Sequence, residues 1–303
     1  MTNPLSEENR KALLAWIPEV IQTTQIGIEL IKQYHLDNAE MVNSFANFPS
    51  LYMGTVGAEG ELELYDGKLR IIDSHGIIVE DQIDPKDYLD HIAERTVDWS
   101  YLKYPYLKKF GFDKGNYRVG PLARLNVATK MKYPLAQAEF LKFKAMNNGK
   151  PCHGTFFYHY TRLIETLASI EEAEYILNRP RITSIETQSF GRRSQSDGVG
   201  SSEAPRGTLF HHYRTDEDGK LTNVNMLIAT GQNNPSMNRA IFEVAKQYVD
   251  GNNVKEGALN RVEAAIRCYD PCLSCSTHAI GSMPLVIELT DPYGNVIKTI
   301  ERG

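Results

Sequence analysis

The sequence predicts an α + β fold, with a predominantly α-helical core and peripheral antiparallel β-hairpins. Three observations carry this expectation. Segments near residues 6–32 and 155–177 place apolar side chains at helical spacing. Short alternating runs flank Gly-containing turns early in the chain and again toward its C-terminus, the pattern of hairpins. Hydrophobic residues make up 42% and charged residues 23% of 303 positions, an ordinary globular balance with enough core for one large domain or two smaller ones.

Taken in order, Ser6 is placed to cap the first helix, with Glu7 and Glu8 at its positive end. Leu13, Leu14, Ile17, Ile21, Ile28 and Ile31 supply its apolar positions, and Pro18 is expected to kink or divide it. "ELELYDGKLRIIDSHGIIVE" (61–80) predicts a small antiparallel meander turning at the DG and HG pairs. Pro85 to Arg95 returns to helix. The Tyr-, Gly- and Pro-rich run 99–127 is long for a loop, which favours a function or a tightly packed wrap. The next helix, 155–177, carries Phe156, Tyr160, Leu163, Leu167 and Ile170 on one stripe. "SFGRRSQSDGVGSSEAPRG" (189–207) predicts a loop leading into a hairpin that turns at "DEDG" (216–219). Helices over 235–250 and 255–266 follow, and "PLVIELTDPYGNVIKTIER" (284–302) closes the chain as a second hairpin. No internal repeat or low-complexity segment is present.

A net charge of −5 gives no reason to expect nucleic acid or an anionic membrane as partner. No apolar run approaches the roughly 20 residues of a membrane span, and the first residues carry no signal-peptide core. Four cysteines, three of them clustered at Cys268, Cys272 and Cys275, do not form a disulfide framework. A cytoplasmic location is expected, with thiols available for metal or redox chemistry.

Cys272 and Cys275 form a C-x-x-C pair whose sulfurs can converge on one metal or close one disulfide. A structural zinc site lacks its second ligand pair, and thioredoxin-type chemistry lacks its βα turn. A soft-metal site completed from elsewhere and an incidental core pair also fit. Cys268 reads as a buried structural thiol. Cys152, beside His153, is either reactive or an ordinary loop cysteine. His211 and His212 are adjacent on a strand and point to opposite faces, so they do not chelate one ion together. His278 follows Cys275 at tight-turn spacing. In "SEAPRG", Glu203 and Arg206 form either a surface ion pair or a rigid guanidinium aimed at an electron-rich ligand. The nearby glycines lack the Gly-Lys-Ser/Thr of a phosphate loop.

"DPCLSCSTH" and "SEAPRGTLFHHY" together resemble the large subunit of NiFe hydrogenases. "YRVGPLARLNV", "FPSLYMGTVG", "WSYLKYPY" and "LNRVEAAIRCYDPCLSCSTHA" are similar to its cytoplasmic, bidirectional NAD-reducing branch, and the resemblance runs from about Asn3 to Gly303. It implies Cys272 as a terminal nickel thiolate and Cys275 as a bridge to an iron carrying cyanide and carbonyl ligands. His278 would bind a magnesium-type ion, and Arg206 would overhang the open coordination position with Pro205 and Asp270 around it. A maturation protease would cut between His278 and Ala279, dividing the chain into 1–278 and a C-terminal peptide, 279–303. The family's other two thiolates come from an N-terminal R-x-C-G-x-C motif that is missing here. A split subunit, a truncated reading frame and a degenerate relative all fit that absence. The resemblance therefore implies an N-terminal partner half, a small iron–sulfur subunit, diaphorase subunits carrying flavin and NAD, and nickel chaperones. A complex I core subunit is a relative without the cysteine pair. A non-catalytic assembly protein and a zinc-binding domain are the rival classes.

Overall fold

The computed structural model describes residues 3–188, 195–249, 256–272 and 285–302. Ser6 opens α1 (Glu7–Asp37) by accepting the Asn9 amide at 3.1 Å, with Glu7 and Glu8 in the first turn. Pro18 does not divide this helix. The lost backbone bond is local, and burial of Ile17 and Ile28 on either side offsets it.

After α2 (Ala39–Ser44), β1 (Leu51–Val56), β2 (Lys68–Ile72) and β3 (Ile78–Ile83) form an antiparallel meander; its second turn, with Gly76 at φ 85°, is the expected one, but the first strand is β1 and the run 61–64 makes only isolated bridges. The helix expected over Pro85–Arg95 shrinks to α3 (Tyr88–His91) after a 3-10 turn. The chain then straightens into β4 (Ile92–Val97), because pairing with β5 (Ser100–Leu107) places Ile92 opposite Leu107 and overrides the local pattern. The run expected to be irregular thus holds β5, α4 (Gly111–Lys114), β6 (Tyr117–Arg118) and α5 (Pro121–Val127).

β6 joins β1 in parallel, giving the order β3-β2-β1-β6. α5 is buried at every position and crosses β1 closely. Gly54 permits this approach, since a Cβ there would stand 3.1 Å from the side chains of both Arg124 and Val127. Alternate residues of β1 serve two cores. Tyr52 belongs to a larger core that includes Phe45, Leu122, Tyr158, Ile164 and Val244, while Met53 joins Leu69, Ile71, Tyr88, Phe210 and Leu227.

α6 (Pro134–Ala145) and α1 pack against α7 (Phe157–Leu177). The most buried stripe of α7 runs through Phe157, Tyr160, Ile164 and Leu167; it shares Tyr160 and Leu167 with the expected one and lies one position on from Phe156 and Leu163. β7 (Asp197–Ala204), β8 (Gly207–Thr215) and β9 (Leu221–Leu227) form an antiparallel sheet. "DGVGSSEA", which falls in the expected loop, is instead a strand. Each of its residues pairs with β8, from Asp197 opposite Arg214 to Ala204 opposite Gly207. Residues 189–194 of that expected loop lie outside the described ones. The β8–β9 hairpin turns at Asp216–Gly219 as read from the sequence.

α8 (Ala229–Tyr248) begins well before Pro235, which it contains, and α9 (Glu256–Cys268) packs beside it. β10 (Leu285–Thr290) and β11 (Val296–Arg302) close the chain as a hairpin. With 46% helix and 25% strand among the described residues, the fold is α + β. Among the described residues no helix is long and apolar enough to cross a membrane.

His35 is buried among the rings of Phe156, Phe157 and Tyr160, with neither ring nitrogen hydrogen-bonded among the described residues. Burial lowers its pKa to about 4. Its contribution to stability is present above its unfolded value near 6.5 and is lost as pH falls toward 4. Urea titrations at pH 7 and pH 4.5 are therefore expected to show a smaller acid loss for His35→Leu than for the wild type. Coinciding acid losses would refute that role for His35.

Candidate metal centre

Three segments distant in sequence meet at one place: the β7–β8 turn, the residues after α9 and the first turn of α8. Ala204 pairs with Gly207, which leaves Pro205 and Arg206 as a two-residue turn. Gly207 has φ 139°, and a Cβ there would stand 2.3 Å from the Val119 side chain, so the turn presses directly on the segment between β6 and α5. From this turn Arg206 Nε donates to the Asp270 carbonyl and lies 3.2 Å from the Asp270 carboxylate. Asp270 holds φ 52°, a left-handed conformation that is uncommon outside glycine and is disfavoured before a proline. The contact with Arg206 is one of the forces that keep it there.

Cys272 follows two residues later. Its amide N–H donates to Thr230 Oγ1 at 3.3 Å, which fixes it beside the first turn of α8. The end of α9 is anchored by Arg162 Nη2, which donates to the Cys268 carbonyl at 3.0 Å. Tyr269 packs against Tyr158 with ring centroids 4.7 Å apart, and its hydroxyl donates to the Ser236 carbonyl at 3.3 Å.

Pro205, Arg206, Asp270 and Cys272 are thus brought together. Cys275, His278 and Ala279 lie outside the described residues. Glu203 does not pair with Arg206, at the surface or elsewhere. Its side chain is fully buried on β7, where it accepts from Arg124 Nη1 at 2.7 Å, the Thr55 amide at 3.0 Å and Thr208 Oγ1 at 2.8 Å. His212 is buried against Asp197 and Tyr88, whereas His211 pairs with the Tyr213 hydroxyl. Cys152 is not activated by His153. Burial pushes its thiol up to about 12, and His153 Nδ1 is paired with the Tyr52 hydroxyl at 2.6 Å.

Arg124, Thr230 and Asn233 support this site and were not singled out from the sequence. Arg124 left a signal, because a lone cation inside the apolar "GPLARLNV" requires a buried partner. Thr230 and Asn233 left none.

Among the described residues no cluster of three His, Cys, Asp or Glu is placed to hold a metal ion. Cys268 does not extend the donor set, since burial pushes its thiol up to about 12 and its sulfur lies 3.4 Å from His159 Nε2. What remains is one potential thiolate with a guanidinium and a carboxylate beside it. That set fits part of a soft-metal centre, one whose other ligands would have to come from outside the described residues.

Residues 65–278 match the nickel-dependent hydrogenase family. The chain belongs to that family. Subunit beta of the NAD-reducing hydrogenase HoxS of Cupriavidus necator is 42% identical over 284 residues, which cover 93% of this chain and 58% of that protein. The matching polypeptide of the F420-non-reducing hydrogenase vhc of Methanococcus voltae is 38% identical, over 99% of this chain and 64% of its own length. A crystal structure of an NAD+-reducing NiFe hydrogenase in its H2-reduced state aligns with a TM-score of 0.86 at 39% identity, over 91% of this chain and 61% of that one. The Ni-Fe-Se hydrogenase of D. vulgaris Hildenborough, at 20% identity and a TM-score of 0.66, shares the fold. The chain spans about three-fifths of the length of these relatives.

Proposed function

We propose that the chain is part of the catalytic large subunit of a nickel–iron hydrogenase, a cytoplasmic enzyme that interconverts H2 with protons and electrons. The electrons would pass toward NAD through partner subunits. The observation that carries this reading is the meeting of Arg206, Asp270 and Cys272 at one point, in a chain 42% identical to a subunit of an NAD-reducing hydrogenase.

A nickel–iron group with cyanide and carbonyl ligands supplies Lewis-acid and redox chemistry when bound. Cys272 and Cys275 would hold it, with His278 on a magnesium-type ion. With the group bound, the Cys272 sulfur would serve as a ligand and could also act as a base for a proton. Arg206 brings a fixed cation to the same place, and its field is strong where water is excluded. Asp270 holds Nε, which sets the plane of the guanidinium. Pro205 restricts the backbone one residue earlier.

One large subunit needs more thiolates than this chain offers, so the reading includes a polypeptide carrying R-x-C-G-x-C. A groove of about 730 Å³ supports that part of it: Leu13, Trp16 and Val20 of α1 line it with Ile170 of α7, and Pro205 and Glu203 also line it. Trp16 is 61% exposed there, an apolar surface that a covering chain would bury. A small iron–sulfur subunit, together with flavin- and NAD-binding diaphorase subunits, completes the assembly. Nickel chaperones would load the site, and a protease would cut between His278 and Ala279. Tyr293 is 91% exposed in the β10–β11 hairpin, which suits a tail removed on maturation.

The test is expression of the chain with and without a polypeptide carrying the R-x-C-G-x-C motif, in a host with nickel maturation machinery. Nickel and iron, with cyanide and carbonyl infrared bands, are expected only with that partner. Absence of metal and bands in both cases, with the tail retained, overturns the reading. One equivalent of zinc on the chain alone favours a zinc-binding domain instead.

A further inference from the structure

The turn that carries Arg206 is gripped by a second arginine, buried at the floor of the groove that α1 and α7 line. Arg124 on α5 is 2% exposed, and all five of its N–H donors are engaged. Nε and Nη2 meet the two carboxylate oxygens of Glu165 at 2.7 and 2.6 Å. Nη1 donates to the Glu203 carboxylate at 2.7 Å and to the Ala204 carbonyl at 2.8 Å. Nη2 also reaches the Pro205 carbonyl at 3.2 Å. The next carbonyl, that of Arg206, accepts from Asn233 Nδ2 at 3.4 Å, and Asn233 Oδ1 accepts the Val119 amide at 3.0 Å. Gly120 leaves room for that carbonyl, since a Cβ there would stand 2.7 Å from the Arg206 oxygen.

Three successive carbonyls of one turn are therefore held by side chains from α5 and α8. An ion pair serving stability alone has no need of the two turn carbonyls, and apolar side chains of similar volume often stabilise as well or better. We propose that Arg124, clamped by Glu165 and Glu203, is a positioning residue that fixes the Pro205–Arg206 backbone and so aims the Arg206 guanidinium at Asp270, beside Cys272. Its catalytic consequence rests on the hydrogenase reading; its structural consequence does not.

Two variants of the full-length chain test this. Arg124→Lys keeps the charge but offers three donors and no planar fork, so at least two of the five acceptors lose their partner. Glu165→Gln keeps shape and spares both turn carbonyls, and serves as the folding-competent variant should Arg124→Lys fail to fold. In the metal-free chain, hydrogen exchange is followed by mass spectrometry at residues 197–215, with residues 68–72 of β2 reporting global opening. Exchange at the turn is expected to quicken about tenfold in Arg124→Lys, and less in Glu165→Gln, while β2 is unchanged. In the assembled complex, kcat for H2 oxidation is expected to fall about tenfold with KM for H2 and nickel content unchanged, and the cyanide and carbonyl bands to shift. Turn exchange that changes only in step with β2 overturns the proposal, as does a loosened turn with kcat and bands unmoved. If even the wild-type complex holds no nickel, the hydrogenase reading fails while the exchange result still decides whether Arg124 fixes the turn.

Discussion

Arg206→Lys, in the assembled and metal-loaded complex, is expected to lower H2 turnover by about 100-fold to 1,000-fold while nickel and iron content stay constant. The substitution separates charge from geometry. Lysine keeps a cation within reach of Asp270, which takes Arg206 Nε on its carbonyl and lies 3.2 Å away through its carboxylate. It loses the planar fork, however, and an ammonium on a flexible stem gives up the orientation that the held turn imposes. Preorganised charge acts without reorganising during the reaction, so losing the orientation costs most of the effect even when the charge survives. Dye-linked H2 oxidation measured as kcat and KM, with metal analysis on the same samples, checks this. A drop of less than about threefold, far below the range for removing a preorganised donor, would mean that Arg206 does not act on the reacting molecule.

The sequence made the helices legible where their burial is one-sided. α7 shows its helical spacing, with Tyr160 and Leu167 on the buried stripe, and Ser6 announces the start of α1. It concealed elements whose stability comes from distant partners. β7 is written in glycine and serine and exists because β8 pairs with it along its whole length. β4 looks helical until β5 claims it. Pro235 reads as the start of a helix, since proline is favoured at the first helical turn, yet Ala229 to Asn234 already form one against the segments around β6 and β8. The candidate site divides in the same way. Cys272 and Arg206 are carried by short motifs, so both stand out as candidates without coordinates. Thr230 bonds a residue more than 40 positions away, and Asn233 bonds both Arg206 and Val119, the latter more than 100 positions away; no local pattern encodes such bonds.

Glu203 shows how far local context misleads. Beside Pro205 and Arg206 it suggests a solvent-exposed pair, whereas the structure makes it the link between β7, β1 and α5. Glu203→Ala is expected to destabilise the chain by about 3–5 kcal/mol, the cost of breaking a buried ion pair from one side. Three buried donors lose their acceptor at once: Arg124 Nη1, the Thr55 amide and the Thr208 hydroxyl. Domains are stable by about 5–15 kcal/mol, so such a loss places the variant near the limit of folding. Glu203→Gln retains an acceptor for Thr55 and Thr208 but turns its amide NH2 toward Arg124 Nη1, forfeiting both the charge and that hydrogen bond, for which about 1–3 kcal/mol is expected. Urea unfolding of the two variants beside the wild type measures the difference. If Glu203→Ala costs less than about 1 kcal/mol, water reaches the cluster and Arg124 is not a dry clamp on the turn. A difference of the expected size means that the same carboxylate stabilises the fold and sets where Arg206 stands, so that substitutions at Glu203 cannot weaken one without moving the other.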